Sequence, residues 1–214
     1  MIPLAHDFTD ETVLVFGGGS VGARKARRFA REARVVVLSP TFVDADFGDS
    51  ELIRASPDPD AVEAWIERTE PALAVAATDD DAVNDAVASV SRAHGALVNG
   101  AHHSEERAVD DVAVPATVRD DPVVVAISTG GQSPALARVL RERIEVELEG
   151  AGEMAVLTAD LRERLAAADV DPAARRAAVR AVAQSSRVWK GLRNADPNVD
   201  QITEDVVDSV LEDT

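Results

Sequence analysis

Three glycines near the N-terminus have the spacing of a nucleotide-binding loop. Residues 12–22 read TVLVFGGGSVG, with Gly17-x-Gly19-x-x-Gly22 directly after a short apolar run. The run predicts a buried strand, and residues 23–32 predict a helix after it. In such a turn Gly17 permits the sharp bend, Gly19 lets the backbone approach a pyrophosphate, and Gly22 allows close packing of helix on strand. We therefore predict a dinucleotide at the helix N-terminus; the alternative is a structural turn that binds nothing.

A second glycine-rich turn precedes a helix in the middle of the chain. Residues 127–138 read ISTGGQSPALAR, in which Gly130-Gly131 follows a strand and Ser133 occupies the N-cap position. The N-terminus of this helix is a second place where an anion can bind. Arg138 and Arg141 are three residues apart and share one helix face. The alternative interpretation is an ordinary capped helix with solvated arginines.

The position that usually holds the cofactor ribose departs from the common pattern. An Asp or Glu is expected at the end of the second strand, where it binds the ribose 2′-OH. Here the chain reads Ser39-Pro40-Thr41, without an acid before Asp44 and without an Arg for a 2′-phosphate. Hydroxyl or backbone groups at Pro40 and Thr41 are then expected to hold the ribose. The sequence favours NAD but leaves NADP open.

The elements that must position these loops alternate between strand and helix. Further strands are predicted at 34–38, 73–77, 96–98 and 123–127, and helices at 58–68, 80–94 and 134–149. This alternation predicts an α/β fold with a parallel sheet covered by helices on both faces. Gly150 and Gly152 are expected to end the last of these helices.

The chain after these glycines reads as helical, with breaks near 169–172 and 194–198. We therefore predict three parts: a nucleotide domain at 1–115, a connecting segment at 116–150 and a helical part at 151–214.

Composition limits the functional class. The 214 residues suffice for one ordinary domain and an appendage, and no apolar run is long enough to cross a bilayer. The N-terminus lacks the order of a signal peptide, and the absence of Cys excludes disulfides, thiolate ligands and a Cys nucleophile. These features favour a cytoplasmic enzyme.

The charge balance is strongly acidic. Asp and Glu number 39 against 22 Lys and Arg, which gives a net charge of −17. A hydrophobic content of 46% argues against disorder, so we interpret the carboxylates as an adaptation to high salt. Nucleic acid is not expected as a partner, because binding phosphates requires a basic face.

Both glycine loops together resemble one family. The segments IPLAHDFTDETVLVFGGGSVGARKA, AATDDDAVNDAV, LVN and VPATVRDDPVVVAISTGGQSPALARVLRERIE are similar in order to the precorrin-2 dehydrogenase/sirohydrochlorin ferrochelatase family, the N-terminal module of siroheme synthases. The resemblance implies an NAD-binding Rossmann domain, a dimerisation segment, a helical C-terminal domain and a homodimer. It implies oxidation of precorrin-2 to sirohydrochlorin with NAD⁺ and, in bifunctional members, Fe²⁺ insertion. Because no methyltransferase domain follows, the expected form is stand-alone.

The resemblance also assigns binding residues. Ser20 and Val21 would contact the pyrophosphate, Pro40 and Thr41 the adenosine ribose, and Thr78 and Asp79 would line the nucleotide side of the third predicted strand. The residues expected to bind the substrate lie in the second loop: Thr129, Gly130, Gly131, Ser133 and Arg138. The substrate carries several carboxylates, so Arg24, Lys25 and Arg141 are further candidate cations.

The catalytic position departs from the family. After the fourth predicted strand the family reads NVVD or NVAD, whereas this chain reads Asn99-Gly100-Ala101-His102-His103. Without a gap His102 takes the place of the catalytic Asp, and a shifted alignment gives that role to Asp110 or Asp111. A neutral His accepts a proton near neutral pH, and an Asp does so if burial raises its pKa.

Our candidates for catalysis are therefore His102, His103 and Asp111. The two adjacent imidazoles could hold Fe²⁺ transiently, whereas no resident metal is expected; the alternative is a polar loop with two exposed His. Dehydrogenase activity depends mainly on cofactor placement, so it should survive this departure better than chelation. The sequence leaves Fe²⁺ against Co²⁺ open.

Three other functions compete with this interpretation. One is a Rossmann oxidoreductase for an unrelated acid, which the second loop argues against. Another is a redox sensor that binds NAD(H) and regulates a partner, although no basic recognition helix is evident. The third is a family member that keeps NAD and has lost catalysis.

Overall fold

The computed structural model describes residues 3–100 and 112–212. The chain forms two compact units, Met1–Val114 and Pro115–Thr214, each with a hydrophobic core of its own. Among the described residues, no helix combines the length and apolar character needed to cross a membrane. The separate dimerisation segment at 116–150 stays a prediction.

The first unit is built on one parallel sheet, which confirms the predicted α/β class. Its strands, numbered along the chain, are Thr12–Phe16 (β1), Arg34–Ser39 (β2), Ser50–Arg54 (β3), Leu73–Ala76 (β4) and Leu97–Gly100 (β5). All pairs are parallel, in the order β3-β2-β1-β4-β5. The strand order therefore reverses next to β1, which is the central strand. The glycine loop begins at the carboxyl end of β1, where ligands of such sheets bind.

Side chains of β1 alternate between two cores. Val13 and Val15 pack with Ala26 on one face, while Leu14 and Phe16 pack on the other, and all are fully buried. Burying a side chain of this size contributes about 1.5–3 kcal/mol before the cost of ordering it. The loop after Phe16 consequently starts from a rigid point.

In the described part of this unit, three α-helices cover the sheet. They are Ser20–Phe29 (α1), Val62–Thr69 (α2) and Asp81–Ala93 (α3), and a short 3-10 turn, Pro59–Ala61, precedes α2. The helix predicted at 23–32 begins and ends three residues earlier. It begins at Ser20 because Gly19 adopts the extended N-cap conformation. Asp80 caps α3, since its Oδ1 accepts hydrogen bonds from the N–H groups of Ala82 (2.9 Å) and Val83 (3.2 Å).

One strand of the sheet was not predicted. The sequence of β3, SELIR, has no continuous apolar run, and the strand lies at the sheet edge with Leu52 exposed. Arg34 of β2 donates a hydrogen bond to Glu51 of β3 at 3.0 Å. The register of β3 on β2 pairs Arg54 with Ser39, the last residue of β2.

The second unit begins with a hairpin, which corrects one prediction. Strand Val123–Ile127 (β7) is antiparallel to Ala116–Asp120 (β6), so the assignment of 123–127 to the parallel sheet is wrong. The run VVVAI indicates a strand but not its direction. Only two residues separate β6 from β7, and so short a connection favours an antiparallel hairpin.

Among the residues that the structure describes, five helices follow the hairpin, and the part after residue 150 is helical as predicted. They are Pro134–Glu147 (α4), Ala151–Ala167 (α5), Pro172–Gln184 (α6), Ser186–Arg193 (α7) and Val199–Glu212 (α8). The predicted breaks near 169–172 and 194–198 are confirmed, and a further break at Ser185 separates α6 from α7. Gly152 does not end a helix; it lies buried in α5, where its N–H donates to Asp120 Oδ2 at 3.0 Å.

The helices of this unit pack around an apolar core, and a side chain caps the start of α6. Leu161, Val182 and Val188 are buried together in it. Asp171 caps α6 by accepting a hydrogen bond from the N–H of Ala173 at 2.7 Å. Hydrogen bonds from backbone N–H groups, that of Ala173 first, hold the pKa of Asp171 below its ordinary value.

Candidate nucleotide-binding site

The glycine loop after β1 is held between the two neighbouring strands. The N–H of Gly17 donates to Leu38 O, and the N–H of Ala77 donates to Phe16 O, both at 2.9 Å. Gly17 has a φ of +121°, and a Cβ built on it would lie 2.1 Å from Ala77 O. A side chain at this position is therefore excluded by backbone that cannot move without breaking the sheet.

Gly22 and Gly19 differ in what surrounds them. A Cβ on Gly22 would lie 1.9 Å from Gly17 O, so α1 packs on the loop at a distance that only glycine permits. A Cβ on Gly19 would meet nothing within 4 Å, and the residue is exposed. Sterically the fold does not need glycine at position 19. The open space beside Gly19 fits a group that approaches the backbone there.

The N-terminus of α1 can bind an anion. Gly19 is the N-cap, no side chain caps the helix, and the first intrahelical bond runs from Ala23 N to Gly19 O at 2.9 Å. The N–H groups of Ser20, Val21 and Gly22 therefore precede the helical hydrogen bonds. The first turn carries no acidic residue that would oppose an anion. Together with the positive end of the helix dipole, these groups fit a pyrophosphate.

Pro40 and Thr41 follow β2 at the same edge of the sheet as the glycine loop, because β1 and β2 are parallel. Both are exposed, and the turn is attached to the glycine loop because the N–H of Val43 donates to Gly18 O at 3.0 Å. The register of β3 adds Arg54, an exposed cation next to the end of β2. Arg54 was not predicted as a site residue because β3, the strand that positions it, was not predicted.

Thr78 and Asp79, at the end of β4, are positioned by a buried amide. Asn84 is 5% exposed, and its Oδ1 accepts from Thr78 Oγ1 (2.8 Å) and from the N–H of Thr78 (3.1 Å). Its Nδ2 donates to Thr78 O at 3.0 Å. Asn84 was not among the predicted site residues. The available signal was a polar residue directly after Val83, on the buried side of α3.

A second buried amide occurs at the end of β5. Asn99 is 6% exposed, its Nδ2 donates to Val112 O at 2.6 Å, and its Oδ1 accepts from Lys25 Nζ. Lys25, predicted as a cation for the substrate, also donates to Gly100 O at 3.4 Å. The predicted catalytic residues His102, His103, Asp110 and Asp111 lie outside the described residues.

The second glycine loop lies in the second unit and caps α4. Ser133 Oγ accepts from Leu136 N, and Thr129 Oγ1 accepts from Ser133 N, both at 3.2 Å. Gly130 and Gly131 have φ values of +63° and +82° and are exposed. The loop thus has the predicted strand–turn–helix form.

The predicted arginines of α4 are paired along their own helix. Arg138 contacts Glu142 at 3.0 Å, and Arg141 contacts Glu145 at 2.8 Å. The Arg138 side chain is 78% exposed. Exposed pairs of this type are worth little, so an anionic ligand can displace the carboxylates.

One group of side chains in the described part of the chain has ligands suited to a metal. Donor atoms of Glu63, Glu67 and His94 lie within 4.8 Å of one another, and all three residues are exposed. His94 ends α3 shortly before β5 begins, so the group lies away from the carboxyl ends of the strands. It is not part of the nucleotide site.

Comparisons with known proteins agree with this geometry. Residues 4–116 match the family described as putative NAD(P)-binding, and residues 120–147 match the family described as sirohaem biosynthesis protein central. The siroheme synthase of Methylococcus capsulatus is 39% identical over 180 residues, which cover 82% of this chain and 36% of that protein. The siroheme synthase of Escherichia coli is 30% identical over 220 residues, covering 99% and 46%. The chain thus spans less than half the length of these relatives.

A solved structure shares the fold. The protein described as SirC, precorrin-2 dehydrogenase, superposes with a TM-score of 0.68 at 20% identity, over 96% of this chain and 98% of that chain. Of the two family matches, the nucleotide-binding one, over residues 4–116, spans more than half of the 214 residues. The chain therefore belongs to the putative NAD(P)-binding family.

Proposed function

We propose that this chain is an NAD-dependent dehydrogenase that oxidises precorrin-2 to sirohydrochlorin in the cytoplasm. The open space beside Gly19, at an uncapped helix N-terminus, is the observation that carries the proposal. The substrate is inferred from relatives described as siroheme synthases and from the fold of the protein described as precorrin-2 dehydrogenase.

Three loops at the carboxyl ends of the strands would each bind a different part of the cofactor. The N–H groups of Ser20 and Val21 bind the pyrophosphate, and the turn at Pro40 and Thr41 holds the adenosine ribose. The turn at Thr78 lies on the opposite side of β1, where the nicotinamide half would extend. NAD⁺ supplies the carbon that accepts the hydride.

The reaction also releases a proton. Precorrin-2 loses a hydride to the nicotinamide and a proton to a base, which gives sirohydrochlorin and NADH. We propose that the base is one of His102, His103, Asp110 and Asp111, whose side chains have suitable chemistry. The carboxylates of the substrate would bind at the N-terminus of α4, at Thr129, Gly130, Gly131 and Ser133, with Arg138 as a cation.

An absorbance assay in molar salt tests the proposal. Protein, NAD⁺ and precorrin-2 are expected to produce NADH and the sirohydrochlorin spectrum together. Production of neither, with NADH still bound, would favour a redox sensor or a member without catalysis.

Parallel reactions with NADP⁺, for the parent and Arg54→Ala, test whether Arg54 admits a 2′-phosphate. Sirohydrochlorin with Fe²⁺ or Co²⁺ tests chelation separately.

Single replacements identify the base. We expect His102→Ala, His103→Ala, Asp110→Asn or Asp111→Asn to lower kcat by about 100-fold or more at one position only. Loss at Asp111 alone would contradict the gapless alignment, which assigns the role to His102.

We also propose that the chain forms a homodimer through α4 and the β6–β7 hairpin. Leu136, Val139 and Val146 share one face of α4 and are 49%, 42% and 67% exposed, and Val124 of β7 is 48% exposed. Exposed apolar side chains at helical spacing are costly in water unless a partner covers them. A second copy offers the same apolar face, as a two-fold interface requires.

Introducing carboxylates into this face should dissociate the dimer. For the double variant Val139→Asp and Val146→Asp we expect monomers in sedimentation velocity at molar salt, since buried unpaired charges oppose association. Val43→Asp, a matched control on an exposed valine of the first unit, should leave the sedimentation coefficient unchanged. A monomeric parent, or a dimeric double variant, would contradict the proposed interface.

A further inference from the structure

We propose that Lys25 is a positioning residue of the reaction. Its ammonium would fix the carboxyl end of β5, at Asn99 and Gly100, on the nicotinamide side of the nucleotide. This inference rests on the proposed dehydrogenase function, and the contacts that support it lie within the first unit.

The contact joins two elements that are distant in sequence. Lys25 lies on α1, whose first turn offers N–H groups to the pyrophosphate, and its Nζ donates to Asn99 Oδ1 and, at 3.4 Å, to Gly100 O. Leu97 packs in the core that α1 covers. Because alternate residues of a strand share a face, Asn99 also lies on the α1 side. The lysine therefore spans from the nucleotide helix to the end of β5.

Asn99 transmits this contact to the chain beyond the strand. Its Nδ2 donates to Val112 O at 2.6 Å, and the N–H of Val112 donates to Val98 O at 2.7 Å. The ammonium thus contacts Gly100, the last residue of β5, directly, and is connected to Val112 through the buried amide of Asn99. The sequence between them, 101–111, contains every candidate base. Lys25 would therefore position the candidate bases by fixing Gly100 and Val112, the residues on either side of this segment, relative to α1.

The strand order puts this network on the side of the reaction. Ligands of open parallel sheets bind outside the carboxyl ends of the strands, where the order reverses. The ribose turn follows β2, on one side of β1, so the nicotinamide half extends towards β4 and β5 on the other. Asn99 and Gly100 end β5.

The choice of lysine is informative in this chain. Only Lys25 and Lys190 are lysines among 22 basic residues, the others being arginines. An ammonium is compact, and its three donors can serve two neighbouring oxygen atoms from one nitrogen, whereas a guanidinium presents a planar fork. At position 25 the single nitrogen donates to two oxygen atoms of neighbouring residues, Asn99 Oδ1 and Gly100 O.

The test separates positioning from folding and from nucleotide binding. Lys25→Met keeps the apolar stem and removes the ammonium; we expect kcat with precorrin-2 to fall by about tenfold or more, because misplaced reacting groups lose rate steeply. The Kd for NADH should stay within about twofold, since backbone groups hold the pyrophosphate. Amide hydrogen exchange at Val112 should become faster. Lys25→Arg, which keeps a donor, should recover part of kcat.

A parental kcat in Lys25→Met would overturn the inference, and so would a loss of NADH affinity as large as the loss of kcat, because Lys25 would then bind the nucleotide itself. Unchanged exchange at Val112 would also overturn it. Lys190→Met, on α7, is the matched control and should behave as the parent. If the parent does not oxidise precorrin-2, the proposed function fails, while exchange at Val112 still tests the contact.

Discussion

Replacing Gly19 with alanine is expected to abolish tight NADH binding while leaving the stability of the protein unchanged. A Cβ at this position meets no protein atom within 4 Å, and the backbone has a φ of −77°, which alanine adopts freely. The methyl group would instead occupy the space in which a pyrophosphate approaches the helix N-terminus. Losing one or two charge-assisted hydrogen bonds of about 1.5–3 kcal/mol each predicts a Kd for NADH raised about 100-fold.

Titration calorimetry with NADH and thermal unfolding of the same variant check this prediction. Gly22→Ala is the contrasting variant, because its Cβ would lie 1.9 Å from Gly17 O and must displace backbone. We expect Gly22→Ala to lower the melting temperature as well as the affinity. If Gly19→Ala bound NADH as tightly as the parent, the cofactor would not approach this loop. The open space beside Gly19 would then no longer support the proposed function.

The features that could be predicted from the sequence are local ones. The glycine spacing after an apolar run predicted β1, the turn and α1 together. Gly22 has a local steric reason, because its Cβ would meet Gly17 O in the same loop. Alternating apolar runs specified the parallel sheet, and the Ser133 cap specified the start of α4. In these cases a short stretch of chain determines its own structure.

The features that could not be predicted depend on partners distant in sequence. Strand β3 has a polar sequence and forms because β2 offers it an edge. The run at 123–127 was assigned to the wrong sheet because an apolar strand does not encode its neighbour. Lys25 was expected to bind substrate carboxylates, and its partner, Asn99, lies 74 residues away. Asn84 was missed because helical spacing alone does not distinguish a buried polar residue from an exposed one.

Asn84 gives the second large effect. Removing its side chain in Asn84→Ala eliminates three hydrogen bonds with Thr78 and leaves the N–H and C=O of Thr78 without those partners. Unpaired polar groups in partly buried positions cost about 1–3 kcal/mol each. We expect the free energy of unfolding, from urea titration in molar salt, to fall by about 2–4 kcal/mol.

The same variant connects stability with the nucleotide site. Thr78 and Asp79 follow β4 in the turn that Asn84 holds, so Asn84→Ala should also weaken NADH binding, by about tenfold, even at temperatures where it is folded. Ser89→Ala is the matched control on α3: its Oγ donates to Ala86 O of its own helix, and we expect neither property to change. Weakened stability with parental NADH affinity would show that the turn after β4 does not contact the nucleotide. In that case the cofactor would be held by the loop after β1 and the turn after β2 without help from β4.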